Sequence, residues 1–383
     1  MMKRTALVHI GLEKTGSTAI QRWLASNREL IQDAGILMPT SIGYPNHTKL
    51  VSACLDDGAI DNIKSHHLFA AGVSEHRFRE RVFADLDADI RRAPPGWHTL
   101  LITSELISSR LSTESEIERL VAQVGQYVDA IRFVVFLRRQ DQLALSRFSS
   151  ILRSGHSEFS DIFVNYSPEN FLCIPDHRVV SDDLFFYDFE AILSRFERVP
   201  NSDLSVLIYG ADRPVEAFLR LLNLDPQRSS KDAAGRHNSA LSAEAQYLIA
   251  SLNRIYPVQF PSGMRNDAYR RLQRQIEAEV SGQLRTVSRN DAVAFQARYL
   301  ELNQRVVQRY GLAEGAVLLD EPSGYPELAD YSAMPHLLAE RLTYYQQLAK
   351  AKVPTVETIS MRIYNQIKQV KASLKRAARS LIR

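Results

Sequence analysis

The sequence predicts an α/β fold with a central parallel sheet flanked by helices. Short, nearly continuous apolar runs recur along the chain, and segments with helical apolar spacing separate them. Strands that are buried on both faces of a parallel sheet have this composition. The chain has 383 residues, of which 45% are hydrophobic, so it is long enough to bury a large core.

The first predicted strand is residues 6–11, ALVHIG, which ends in a glycine. Residues 17–35, STAIQRWLASNRELIQDAG, follow with apolar residues at helical spacing, and Gly35 fits a helix end. The N-terminal apolar run stops after about six residues, at Glu13 and Lys14, which is shorter than the core of a secretory signal. We therefore expect a strand, a tight turn and a helix.

Further strands are predicted at residues 98–105, 131–139 and 204–210, with a helix at 112–128. Beyond about residue 240 the pattern is mostly helical, which predicts a helical C-terminal extension. An irregular segment at 318–335 contains three prolines. We accordingly expect one α/β domain over residues 1–317, followed by a linker and a tail over 318–383.

The ends of the predicted strands are where a ligand is expected. In parallel α/β sheets, ligands bind beyond the carboxyl ends of the strands. The residues at these positions are Gly11 to Thr18, Ser104 with Glu105, and Arg138 with Arg139.

The loop HIGLEKTGSTAIQ has the composition of an anion site. Gly11 and Gly16 stand five apart, as in G-x-x-x-x-G-K-[ST], but Ser17 takes the place of that motif's lysine, and the lysine lies inside the loop at Lys14. Successive backbone N–H groups and the start of the next helix favour an anion. Hydroxyl donors are added by Thr15, Ser17 and Thr18. The position of Lys14 favours a phosphate ester shorter than a triphosphate.

The stretch HIGLEKTGSTAIQRWL closely resembles the 5′-phosphosulfate loop of sulfotransferases that use PAPS (3′-phosphoadenosine 5′-phosphosulfate), particularly bacterial carbohydrate-type members. The resemblance implies a P-loop-type three-layer fold and PAPS as the sulfuryl donor. It also implies that the phosphosulfate is held by the loop residues Gly11, Lys14, Thr15, Gly16, Ser17 and Thr18.

Two later segments extend the resemblance. In VVFLRRQDQLALSRF, Arg138 and Ser146 match the family's pair for the 3′-phosphate, an arginine at a strand end and a serine eight residues later. Arg139 is the alternative ligand if the strand ends one residue later. The stretch GRHNSALSAEAQYLIASLN resembles a late segment of the family and implies donor contacts from Arg236, Asn238 and Ser239; by itself it is typical of a helix cap.

Sulfuryl transfer needs a base for the incoming hydroxyl. Glu105, at the end of TLLITSE, resembles the glutamate that carbohydrate sulfotransferases carry after a comparable strand, and burial would raise its pKa for this role. Its structural alternative is a helix cap or an ion pair with an arginine. His47 is the rival base, and His66 and His67 are weaker candidates. The sulfuryl group carries less negative charge than a phosphoryl group, so we expect that no metal is required.

The bulk composition narrows the class of partner. The net charge is only +3, from 47 basic and 44 acidic residues, so nucleic acid is not expected. Cys54 and Cys173 have no metal-ligand spacing and imply no disulfide framework, which favours a reducing, cytoplasmic location. No apolar run approaches the ~18 residues of a membrane span.

The tail at residues 358–383 has seven basic residues and no acidic one. Its spacing predicts an amphipathic helix, which could contact an anionic membrane surface peripherally or pack on the domain or a partner. Residues 40–97 match the family poorly, so we expect acceptor specificity there.

The sequence therefore predicts a PAPS-dependent sulfotransferase that modifies a hydroxyl or amine of a carbohydrate or glycolipid. Two alternatives remain open. One is a P-loop kinase that uses ATP and magnesium, although Thr103 and Ser104 occupy the position where such an enzyme prefers aspartate. The other is a degenerate nucleotide-binding module that recruits partners through its basic tail.

Overall fold

The computed structural model describes residues 3–155, 186–210, 213–225, 241–260, 265–284 and 286–354. The described residues fall into two compact units, and neither unit is continuous in sequence. The first is drawn from Met1–Arg147, Pro168–Ser239 and Thr286–Ala329; the second is drawn from Phe148–Ser167, Ala240–Arg285 and Asp330–Arg383.

The first unit contains a five-stranded sheet in the order β2-β3-β1-β4-β5, and every strand pair is parallel. The strands are β1 (Thr5–Gly11), β2 (Ile36–Leu37), β3 (Thr99–Thr103), β4 (Ala130–Leu137) and β5 (Ser202–Ile208). The predicted α/β fold with a parallel sheet is confirmed. Four of the strands coincide with the predicted apolar runs, whereas β2 has only two residues and leaves no detectable pattern.

Seventeen helices lie in the described ranges. They are α1 (Ser17–Ser26), α2 (Arg28–Asp33), α3 (Thr48–Cys54), α4 (Asn62–Ala71), α5 (Glu75–Arg91), α6 (Leu106–Arg110), α7 (Glu114–Gly125), α8 (Gln140–Arg153), α9 (Phe189–Glu197), α10 (Pro214–Leu221), α11 (Ala243–Asn253), α12 (Asp267–Glu279), α13 (Arg289–Ala297), α14 (Leu300–Tyr310), α15 (Ala316–Leu319), α16 (Met334–Leu337) and α17 (Ala339–Lys352). Residues 40–97 thus contribute α3, α4 and α5, and the predicted helical C-terminal region is confirmed.

Helices cover both faces of the sheet. On one face, buried side chains of α1, α2 and α10 form a single apolar cluster with Leu7, Leu101 and Val134 of the strands. On the other face, the ring of Phe133 in β4 packs on that of Phe196 in α9, with 5.1 Å between centroids. The first unit is therefore a three-layer structure.

The helix predicted over residues 17–35 is two helices. Asn27 interrupts it with non-helical backbone angles, φ −116° and ψ 36°, and its side-chain amide donates to the Trp23 carbonyl at 2.9 Å. Asparagine competes for backbone hydrogen bonds in this way, and a pattern of apolar spacing does not detect the break. Gly35 follows α2 with φ +72°, a left-handed conformation that suits the predicted helix end.

The late helices α13 to α15 belong to the sheet unit. The side chain of Gln140, at the start of α8, exchanges two hydrogen bonds with Asn303 of α14, at 2.8 and 3.0 Å. Gln296 of α13 donates at 3.1 Å to Gln140 Oε1, the oxygen that also accepts from Asn303. Gln296 and Asn303 both donate to the backbone oxygen of Leu318, a fully buried residue. The sheet unit thus reaches past the predicted boundary at residue 317, as far as Ala329.

The second unit is helical in its described residues. Tyr269 of α12 donates a 2.6 Å hydrogen bond to Asn253 at the end of α11, and both side chains are buried. Across the residues that the structure describes, no helix in either unit has the length and apolar character needed to cross a lipid bilayer.

Candidate functional site

The loop between β1 and α1 is tightly curled. Gly11 and Gly16 have positive φ angles of 108° and 93°, which glycine adopts without steric cost. Lys14 also has a positive φ, 66°, which is uncommon for a residue with a side chain. Non-glycine residues in this conformation cluster at binding and catalytic sites. The loop therefore holds its lysine in an unfavourable conformation that the surrounding structure must maintain.

Two of the predicted loop hydroxyls bond to the loop itself. Thr15 Oγ1 donates to the Leu12 carbonyl at 2.6 Å, and Ser17 Oγ donates to the same oxygen at 3.2 Å. In this arrangement their protons stabilise the curl. Thr18 is half-buried in the first turn of α1. The first backbone N–H groups of α1 have no partner within the helix, as at every helix start, and such groups favour an anion.

Both glycines are also sites of close approach. A Cβ at Gly16 would lie 2.7 Å from Cγ of Pro214 at the start of α10, and a Cβ at Gly11 would lie 2.9 Å from Cα of Glu105. Real Cβ atoms do not approach other atoms this closely. The loop is therefore packed directly against the residue that the sequence predicts as the base.

Arg138 is placed against the same loop. Its Nη1 donates to the Lys14 carbonyl at 3.0 Å, and its guanidinium carbon lies 4.8 Å from the centre of the Tyr209 ring, just beyond β5. Its Nε is buried without a hydrogen-bond partner among the described residues. Burial lowers the pKa of Arg138 from its usual value, although an arginine stays charged. Among the described residues, a guanidinium with no direct ion pair, influenced by the charge of Asp141, therefore lies beside the loop.

Arg139 differs from Arg138 in its partner. Its Nε and Nη2 form a bidentate pair with Asp141, at 2.7 and 3.0 Å. Burial acts to lower the pKa of Arg139, but its hydrogen bonds to Asp141 raise that pKa overall. Because its fork is already filled, Arg139 is a structural residue here, and the geometry favours Arg138 as the anion ligand.

The remaining predicted donor contacts are only partly described. Ser146 lies half-buried in α8, two turns along the helix that follows Arg138, while the contacts of Arg138 run to Lys14 and Tyr209. Its pairing with Arg138 stays a prediction. Arg236, Asn238 and Ser239 lie outside the described residues, as does the basic segment 358–383.

Glu105 lies two residues beyond β3, at the carboxyl edge of the sheet. Its Oε2 accepts a hydrogen bond from Gln21 Nε2 at 2.8 Å, and its Oε1 accepts one from Asn46 Nδ2 at 3.0 Å. The predicted structural alternatives were a helix cap and an ion pair. Glu105 precedes α6 without a side-chain cap bond, and the side chains that donate to it, Gln21 and Asn46, are neutral amides.

The environment of Glu105 favours the protonated form. Burial raises the pKa of the Glu105 carboxyl, and the charge of Glu13 adds to the rise, while bonds from its own backbone N–H, from Gln21 and from Asn46 act in the opposite direction. Glu13 is itself held by the Ser109 hydroxyl, which donates to it at 2.7 Å. A carboxylate with a raised pKa is a better proton acceptor.

His47, the predicted rival base, has a structural position. Its Nδ1 accepts from the Thr103 backbone N–H at 3.0 Å, and its Nε2 lies 2.9 Å from the Pro39 carbonyl, to which it donates. The side chain is fully buried, and burial lowers its pKa to about 4. Both ring nitrogens are occupied, so the geometry assigns His47 to holding residues 39–47 against β3 and gives it no free nitrogen for catalysis.

The two weaker histidines lie in α4. His67 Nε2 is 3.0 Å from the Thr48 hydroxyl, and burial lowers the pKa of His67 to about 4. The His66 and His67 rings lie 5.8 Å apart. These contacts are within the segment 40–97 and do not reach Glu105.

Three residues of the site were not predicted from the sequence: Gln21, Asn46 and Tyr209. Gln21 had a signal, because it is a polar residue at the buried face of α1 beside Ile20 and Leu24. Asn46 lies in a loop and Tyr209 at a strand end, where no periodic pattern distinguishes them. Their roles depend on contacts between distant parts of the chain.

Comparison of the chain with known protein families, with curated proteins and with solved structures gave no match. The curled loop, the Arg138 guanidinium and a carboxylate with a raised pKa meet at the carboxyl edge of β1, β3 and β4. Such a set of groups can bind an anion and accept a proton beside it.

Proposed function

We propose that the protein is a sulfotransferase that moves the sulfuryl group of PAPS to a hydroxyl or amine of a carbohydrate or glycolipid acceptor. The observation that carries the proposal is the 3.0 Å hydrogen bond from Arg138 to the Lys14 carbonyl. The resemblance assigns Lys14 to the 5′-phosphosulfate and Arg138 to the 3′-phosphate. Both phosphates belong to one ribose, so their ligands must be neighbours, and these two residues are.

The residues carry charges of the sign that the donor requires. The loop curls at Gly11 and Gly16 just before α1, and the first N–H groups of a helix favour an anion. Lys14 would stabilise negative charge on the bridging oxygen as the bond from sulfur to that oxygen breaks. Arg138 would bind the 3′-phosphate through its planar fork.

Glu105 would accept the proton. In an in-line transfer, the acceptor oxygen or nitrogen forms a bond to sulfur, the bridging oxygen leaves with the bisphosphate, and the acceptor's proton moves to a base. The approach of Gly11 to Glu105 places that base next to the loop. We assign no catalytic role to His47, since both of its ring nitrogens are bonded.

One observation counts against the alternative of a P-loop kinase. The position where a P-loop kinase carries its magnesium-binding aspartate is occupied by Thr103 or Ser104, and the Thr103 hydroxyl lies 2.9 Å from His9 Nδ1 in the interior. No carboxylate stands at that position. A role as a binding module without catalysis would leave the proton-accepting environment of Glu105 unexplained.

The experiment that tests the proposal measures nucleotide binding by calorimetry in the presence of EDTA. We expect tight binding of 3′,5′-adenosine bisphosphate to the wild-type protein, and a loss of at least tenfold in affinity for Lys14→Met, since a charge-assisted bond to phosphate is removed. The matched control is Lys350→Met, an exposed lysine of α17, which should bind normally. Binding of ATP with magnesium and no binding of the bisphosphate would overturn the proposal in favour of a kinase.

The acceptor is identified by incubation with sulfur-labelled PAPS and a panel of cell-envelope glycans and glycolipids. We propose that residues 40–97 select it, because Asn46 and His47 bring this segment to the end of β3. We further propose a cytoplasmic location, with peripheral membrane contact through residues 358–383 as one possible role of that segment. Binding of the full chain to anionic vesicles tests this last point.

A further inference from the structure

The carboxylate of Glu105 is held from two separate parts of the chain. Gln21 projects from α1, the helix that follows the loop, and Asn46 lies just before α3. Each donates one amide N–H to a different oxygen of Glu105, at 2.8 and 3.0 Å. Two bonds to two oxygens fix the rotation of the carboxylate plane, which one bond would not.

Asn46 is not placed to maximise stability. Its Oδ1 is buried and has no hydrogen-bond partner among the described residues. A buried carbonyl oxygen without a donor is destabilising. The side chain thus keeps an unfavourable orientation in which its one strong contact is the bond to Glu105.

We propose that Gln21 and Asn46 are positioning residues that hold the carboxylate of Glu105 in one orientation for accepting the acceptor's proton. The inference rests on the proposed function, in which Glu105 is the base. Each carboxylate oxygen has two lone pairs, and each amide occupies one. The Glu105 backbone N–H also bonds to the carboxylate, so about one of its four lone-pair sites remains for the acceptor hydroxyl or amine.

The neutrality of the two amides is essential to this role. An arginine or lysine in their place would hold the carboxylate equally well but would stabilise its charge strongly and weaken it as a base. The ionisable neighbour that acts on Glu105 is Glu13, across from it in the loop, and its negative charge strengthens the base. His47, behind β3, is neutral because burial lowers its pKa to about 4.

The test uses a graded series at Asn46 and one variant at Gln21. Asn46→Ala removes a donor, Asn46→Asp replaces it with a like charge, and Gln21→Met removes the other donor at similar volume. The titration of Glu105 is followed by NMR on protein carrying ¹³C-labelled glutamate side chains, with Glu105→Gln to assign its signal. Turnover with PAPS is measured across the same pH range on each full-length variant.

We expect the pKa of Glu105 to rise in Asn46→Ala and Gln21→Met, and to rise further in Asn46→Asp. We expect kcat at neutral pH to fall by about tenfold for each donor removed, because the loss of a fixed carboxylate orientation outweighs the gain in basicity, with the KM for PAPS unchanged. Asn46→Ala should unfold at the wild-type temperature or above it, because it also removes the unpaired oxygen. A residue with a merely structural role would show the reverse pattern.

The controls are Gln32→Met and Asn290→Ala, which make comparable changes at exposed positions of the same unit. Gln21 and Asn46 together form an amide clamp on Glu105. An unchanged titration of Glu105, or unchanged turnover, in all three variants of this clamp would overturn the inference while the proposed function stands. Absence of sulfuryl transfer by the wild-type protein would overturn the proposed function, and with it the catalytic meaning of the clamp. The two failures are therefore distinguishable.

Discussion

Glu105 and Asp141 are two carboxylates in similar places. Glu105 lies two residues beyond β3, and Asp141 lies four residues beyond β4. These two strands flank the central strand β1 on either side. Each has both oxygens engaged by hydrogen bonds from side chains. Their positions in the fold therefore do not distinguish the two carboxylates.

Glu105 and Asp141 differ in the charge of their hydrogen-bond partners. Asp141 is paired with the Arg139 guanidinium and also accepts from the Tyr325 hydroxyl at 2.5 Å, so its negative charge is matched in a buried site. Glu105 is bonded to two neutral amides and lies near another acid, Glu13. The comparison teaches that a carboxylate paired with a cation holds the structure together, whereas one held by neutral donors keeps its capacity to accept a proton.

The largest expected effect comes from removing each charge in turn. Glu105→Gln should lower kcat by roughly a hundredfold to ten-thousandfold, the usual contribution of a general base, while the protein stays folded. Asp141→Asn should instead lower the free energy of unfolding by about 3–5 kcal/mol, because the buried Arg139 loses its partner. Steady-state kinetics and urea unfolding of both variants measure the two quantities.

If Asp141→Asn lost turnover without losing stability, the comparison would be reversed. Binding of the bisphosphate is the control for correct folding. Glu105→Gln should retain wild-type affinity, because Glu105 is not proposed as a phosphate ligand.

The neighbouring arginines allow the same comparison for cations, with a smaller effect. Arg138→Lys should weaken binding of 3′,5′-adenosine bisphosphate by about tenfold to a hundredfold, because the planar fork and its contact with Tyr209 are lost. Arg139→Lys should leave that affinity unchanged and destabilise the fold, since only one bond to Asp141 can persist. Equal losses of affinity in the two variants would show that Arg139 contributes to nucleotide binding as much as Arg138 does.

The smallest expected effect on turnover is that of His47→Asn, which tests the rival base. Turnover should stay within about threefold of wild type, a range within which no base is lost. The free energy of unfolding of the wild-type protein should decrease at acidic pH. The folded-state pKa of His47 is lowered to about 4 from 6.5, so its contribution is fully present above pH 6.5 and is lost as pH falls towards 4.

This acid-dependent loss amounts to about 3 kcal/mol for a shift of that size. Urea unfolding at pH 7 and pH 4.5 measures it, and His47→Asn should show a smaller difference between the two values than wild type. His67, whose pKa is also lowered to about 4, supplies a second contribution of the same sign. A large loss of turnover in His47→Asn at unchanged stability would favour His47 over Glu105.

The strands and the loop could be predicted because their signals are local. The strands β1, β3, β4 and β5 each contain a short apolar run, and the loop's glycines and lysine lie within six residues of one another. The choice between Arg138 and Arg139 could not be made from the sequence. It depends on β4 ending at Leu137 and on the aspartate that captures Arg139.

The clamp on Glu105 was beyond prediction for a different reason. Its bonds join residues 84 and 59 positions apart, and glutamine and asparagine carry neither charge nor periodicity that would mark them. The break at Asn27 and the two-residue β2 were missed because each is shorter than the window in which apolar spacing can be recognised.

The amide pair between Gln140 and Asn303 has a consequence for how the protein is made. The two residues are 163 positions apart, and a ribosome adds roughly 5–20 residues per second. The start of α8, directly after Arg138, must therefore wait on the order of ten seconds or more during synthesis before its partner exists. A nascent chain can pair its first four strands before this bond exists, so the end of β4 acquires its amide partner only after residue 303 has been made.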